Sequence, residues 1–127
     1  MSATGIYAST TPNLMLRNNL VENSSTQKGT GRIIAFQRSS SVLTSFVAGS
    51  NGNSFFAGTP GVNNLIFSDG INNSQNLAAY KTLVGTTRDA QSVSADAVFQ
   101  SSVFATDSFL RLRVFSTANC ALNRGGV

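Results

Sequence analysis

The sequence predicts a single, mainly β domain with a helix near its C-terminus. Three observations lead there. The polar residues are mostly Ser, Thr, Asn, Gln and Gly, which favour strands and turns over helices. Asn51-Gly52 and Asp69-Gly70 stand between apolar runs, as hairpin turns do. The stretch SVSADAVFQSSVF, Ser92 to Phe104, alternates throughout. Val93, Ala95, Ala97, Phe99, Ser101 and Val103 fall on one face, and Ser94, Asp96, Val98, Gln100 and Ser102 on the other. That is the pattern of a sheet with one buried side. A chain of 127 residues suits one domain, 1–127, with a modest core.

Taken in order, TGIYAST suggests a short strand, and NLMLRNNLV after Pro12 a second. ENSSTQKGTG, Glu22 to Gly31, is polar with two glycines and reads as a loop. RIIAFQR, Arg32 to Arg38, is rich in β-branched and aromatic residues and reads as a strand. SVLTSFVAG and SFFAG form two more, joined by a type I′ turn at Asn51-Gly52. NLIFS is a short strand ending at the Asp69-Gly70 turn. NLAAYKTLVGTT, Asn76 to Thr87, is ambiguous: its first half suits a helical turn, whereas Tyr80, Thr82 and Val84 favour a strand. Six to eight strands result, with no repeat and no domain-sized linker.

Composition narrows the chemistry. Only 11% of residues are charged, against about 25% in ordinary globular proteins. The chain has no histidine. That removes the commonest general base, the Ser-His and Cys-His arrangements and the commonest zinc ligand. No phosphate-binding glycine motif occurs. The five carboxylates, Glu22, Asp69, Asp89, Asp96 and Asp107, read as turn, cap or solvated groups, not as a paired catalytic site. Cys120 is the single cysteine, so no internal disulfide is expected. The expectation is a non-enzyme without cofactor, metal or small-molecule substrate. The N-terminus lacks a basic-then-apolar signal, and no apolar run is long enough to span a membrane. Folding in a cytoplasm is expected. The net charge of +4 suits attraction to a polyanion, although no Lys/Arg run concentrates it.

VFATDSFLRLRVF, Val103 to Phe115, has two readings. As a strand, Leu110, Leu112 and Val114 face a core, and Arg111 and Arg113 face water. As a helix, Thr106 or Asp107 caps it, Asp107 suits the dipole, and Phe109, Leu112, Phe115 and Leu122 share a stripe. Gly125-Gly126 then supplies the stop. The helix, from about Ser108 to Asn123, also uses Ala118, Ala121 and Leu122, which the strand leaves idle. It is the reading preferred.

With that helix, ADAVFQSSVFATDSFLRLRV, Ala95 to Val114, resembles the last strand and first helix of coat proteins from single-stranded RNA bacteriophages. SQNLAAYKTLV, Ser74 to Val84, resembles the family strand with a Gln-Asn and a Tyr-Lys neighbourhood. The resemblance covers some thirty to forty residues. It implies an antiparallel sheet with an N-terminal hairpin and a C-terminal helix packing on a dimer partner. It further implies a self-assembling icosahedral shell, a virion formed in the host cytoplasm, with RNA against the sheet. The RNA-binding candidates it implies are Lys81, Ser94 and Gln100, and Arg88 joins them as a further basic residue for packaged RNA. Asp96 repels phosphate and Val98 offers no hydrogen bond, so packaging by charge is implied, not recognition of one hairpin.

The alternative is a β-sandwich carbohydrate-binding or phage tail-fibre module. IIAFQRSSSVLTSFVAGSNGNSFFAG is similar to the hairpins of laminin-G-like modules. Asn- and Gly-rich loops suit sugar contact, but the only Trp or Tyr residues are Tyr7 and Tyr80.

Overall fold

The computed structural model describes residues 1–10, 13–114 and 116–124. The strands are β1 (Ala3–Ala8), β2 (Leu20–Glu22), β3 (Ile33–Arg38), β4 (Ser54–Phe56), β5 (Asn64–Ser68) and β6 (Asn73–Ser74). The helices are α1 (Leu77–Val84) and the short α2 (Cys120–Arg124). The mainly β class is as expected from the sequence. The pairing is not the expected antiparallel one.

β1, β3 and β5 lie side by side in parallel, with Ile6 opposite Phe36 and Phe36 opposite Phe67. β2 and β4 also pair in parallel, Leu20 opposite Ser54. Parallel bridges Leu14–Phe46, Arg17–Asn51 and Ser54–Val93 fill the row between them and beyond. Each pairing joins residues about 30 to 39 positions apart. The chain therefore winds as stacked coils, a short parallel β-helix in which each coil pairs with the next. Among the described strands only β5 and β6 run antiparallel, joined at Asp69 and Gly70, whose φ of 89° needs glycine. Among the described residues no N-terminal hairpin forms, because β1 pairs with β3.

Asn51-Gly52 is a turn, but not a hairpin. The segments on either side of it pair with the previous coil and not with each other, so it turns a corner within one coil. SVLTSFVAG contributes a 3₁₀ turn, Leu43–Ser45, and the bridge at Phe46 instead of a strand.

The core is an aromatic stack along the coil axis. Phe36, Phe46, Phe55, Phe67 and Tyr80 are all fully buried. Phe36 stacks on Phe55 at 5.8 Å and meets Phe67 at 5.4 Å and Phe46 at 5.5 Å. Such pairs add to the area they bury. β3 is apolar on both faces because both are covered: Ile33 to Phe36 are all buried. Gly5 lets β1 approach, since a Cβ there would meet Ala35 O at 2.7 Å and Val21 Cγ1 at 2.9 Å.

The C-terminal expectations need correction. Ser92–Phe104 is no continuous strand; it holds bridges at Val93, Phe99 and Ser101. No helix begins near Asp107. Gln100 N donates to Arg111 O, Leu110 N to Ser101 O and Arg113 N to Val98 O, so residues 98–101 and 110–113 run beside each other. Ala105 (φ 67°) and Leu110 (φ 52°) are left-handed, which no α-helix accommodates. The Thr106 hydroxyl contacts Ser101 and Val103 O and does not cap a helix. Tertiary pairing outweighs a run of helix-favouring residues, since propensity is a weak preference. Helical backbone appears later, at Thr117–Asn119 and α2. Phe115 and Gly125-Gly126 lie outside the described residues. Ser74–Val84 is likewise not a strand over its length: Asn76 accepts from Ala79 N and caps α1.

Candidate functional site

The densest polar chemistry is sealed inside. The Asp89 carboxylate is fully buried and accepts from Tyr80 OH (2.5 Å), Ser92 Oγ (2.5 Å) and Asn53 Nδ2 (2.8 Å). Asn53 also donates to Leu16 O and accepts from the Asn19 amide, one coil earlier. Burial first, then the Asp89 charge and hydrogen bond, push the Tyr80 phenol pKa above its usual value. The three donors converge on a carboxylate that is itself fully buried. This network ties corner to corner, coil to coil.

A second polar cluster surrounds Phe46. Arg38, 1% exposed, gives Nη2 to Val42 O and Ser45 Oγ, while its Nη1 is buried without a partner. Burial lowers its pKa, with the Asp69 charge opposing. Arg88 lies 5.7 Å from the same ring and donates to Phe46 O and Leu43 O. Both guanidiniums therefore serve the corner formed by residues 42–46.

The open geometry lies on the outer wall. Phe55 points inward onto Phe36, so strand parity turns Ser54 outward. Leu20, Ser54 and Val93 form one row across three coils. Residues 98–114 and 116–122 pass over that row, held together by buried Asn119, which accepts from Val98 N and donates to Val98 O and Arg113 O. A cavity of about 200 Å³ remains between, walled by Asn18, Asn19, Leu20, Ser54, Val93, Leu112 and Leu122. Next to it, sharing Leu20, is a cleft of about 460 Å³ formed by Glu22, Ser24, Phe99 and Leu110. The Ser54 hydroxyl is buried and unpartnered. Glu22 takes Ala97 N and Ser24 Oγ on its two oxygens. Among the described residues no Lys or Arg lines either space.

The four residues named as RNA contacts have these places in the fold. Lys81, on α1, donates to Ala90 O. Arg88 is spent on the carbonyls described above. Ser94 and Gln100 are exposed on the C-terminal segment, and no hydrogen bond joins any of the four to another among the described residues. The cleft residues were missed because the wall is made by pairing across coils. One trace was available: RNN at 17–19 and NGN at 51–53 place Asn19 and Asn53 at the same corner of successive coils.

Among the described residues no helix is long and apolar enough to cross a membrane, and no three metal-ligating side chains converge. No protein-family model, curated protein or solved structure matches the chain.

Proposed function

We propose that the chain is a non-enzymatic structural and binding module that takes a neutral, hydroxyl-rich ligand, a saccharide unit, in the outer-wall cleft and the cavity that adjoins it. The observation that carries this reading is the lining. Apolar leucines and the Phe99 ring offer faces to sugar C–H groups, and Asn18, Asn19, Ser24, Ser54 and Glu22 offer neutral or accepting polar atoms. Saccharide sites combine such apolar faces with a few placed polar groups. RNA would call for cations in the same space, and the described lining residues include none. The coat-protein reading keeps only its sequence resemblance, since the strand and helix on which it rests run differently here. It is the second proposal, tested by particle formation. The saccharide reading is tested by titrating a panel of monosaccharides, hexoses and N-acetylhexosamines into labelled protein and following amide shifts. Saturable shifts confined to residues 18–24, 93 and 98–112 are expected, weakened about tenfold by Phe99→Ala. Silence with every sugar, together with saturable shifts from an RNA oligonucleotide, would reverse the order of the two proposals.

A further inference from the structure

The two ends of the coil stack are built differently. At one end, β5 is covered by two-residue β6, and α1 packs against both. At the other, β1 is the outermost strand of its sheet, and β2 likewise lies at the edge of its own. The core ladder records the difference. Phe36 and Phe67 are fully buried, whereas Ile6, stacked in register with them, is only half-buried.

We propose that the open first coil docks a second copy of this chain, with β1 pairing antiparallel to β1 of that copy across a twofold axis. A free strand edge accepts only extended backbone. β1, ATGIYA, carries no charge and no proline, two devices that block edge pairing. An uncharged strand can meet its own copy without like-charge repulsion, and the pairing is self-complementary, as a twofold interface requires. The opposite edge offers only the two-residue β6 with α1 packed against it, too little strand for head-to-tail growth, so the product is a dimer and not a filament. This edge is separate from the saccharide cleft on the outer wall, and either can stand without the other.

The experiment is light scattering on the purified chain across a concentration series. The expected mass is twice the 13.3 kDa of one chain. Tyr7 is 62% exposed, and Tyr7→Lys sets like charges on the two edges. That variant is expected to be monomeric with an unchanged circular dichroism spectrum. Mixing it with Tyr7→Glu is expected to restore the dimer. Wild-type protein that stays monomeric overturns the proposal, as does a ladder of growing oligomers, a dimer indifferent to Tyr7→Lys, or a mixture that fails to recover. Should the Tyr7 variants not fold, hydrogen exchange of the wild type decides. β1 amides must be slowed as concentration rises, and exchange independent of concentration overturns the proposal.

Discussion

Replacing Tyr80 by Phe removes one oxygen from the centre of the fold. The ring keeps its neighbours, Phe67 at 5.1 Å and Phe55 at 5.8 Å, so the aromatic packing survives. What is lost is the 2.5 Å hydrogen bond to Asp89, whose carboxylate is left buried with two side-chain donors instead of three. A hydrogen bond to a charged acceptor contributes about 1.5–3 kcal/mol. The expected loss is therefore about 2 kcal/mol, or roughly 8 °C in melting temperature for a domain of this size. Urea unfolding followed by circular dichroism measures it. The pH dependence supplies a second check. The phenol pKa is raised in the folded state, so the folded protein holds this proton more tightly than the unfolded chain. The stabilisation is complete below about pH 10, the unfolded phenol's value, and declines above it. The gap between wild type and Tyr80→Phe should then narrow in alkali. A variant as stable as wild type, with the same alkaline profile, would show that the Tyr80–Asp89 bond does not hold the corner.

Asp69 gives the opposite pH signature. Burial alone would raise its pKa, but hydrogen bonds from Asn72 and Ile71 and the Arg38 charge outweigh it and hold it below the usual value. Its stabilisation is present above about pH 4 and is lost as pH falls through the folded value, so Asp69→Asn should flatten the acid limb of the stability profile; an unchanged limb refutes this. Arg88→Ala should cost about 2 kcal/mol by freeing the Phe46 and Leu43 carbonyls, and Lys81→Ala less than about 1 kcal/mol; equal effects in denaturant titration would count against the assignment of Arg88 to that corner. Asn119→Ala should release residues 98–113 to faster hydrogen exchange while β3 and β5 stay protected, and uniform loss of protection would mean that this segment is part of the core. Electron microscopy of purified protein should show no RNA-filled shells, and closed particles absorbing near 260 nm would restore the coat reading.

β3 and β5 were legible because both faces of each are buried, which leaves the unbroken apolar runs IIAF and LIF. The same runs carried the sign of a parallel sheet, since strands covered on both sides lose their alternation. The Asp69-Gly70 turn was legible because its chemistry is local. Asn51-Gly52 was misread because a turn motif states where the chain bends and not which strand lies alongside. Residues 92–114 misled twice: their alternation is real, but it serves short bridges, and Leu110 takes a left-handed backbone that its side chain does not advertise. The cleft was out of reach for a related reason. Leu20, Ser54 and Val93 share a wall only through pairings 34 and 39 residues apart, and no motif encodes such a distance.

The coil spacing also governs how the chain finds its fold. Apart from the β5–β6 turn, every strand pairing closes a loop of some thirty residues or more, so the conformational cost of closure comes before any ladder returns it. One coil alone has no neighbour to cover Phe36. Refolding should therefore be slow for the chain's length, on the scale of milliseconds to seconds. The rate-limiting event should be the laying of β3 against β5, after which the first coil adds to an existing edge. Substitutions at Phe67 would then slow refolding, whereas substitutions at Ile6 would mainly speed unfolding.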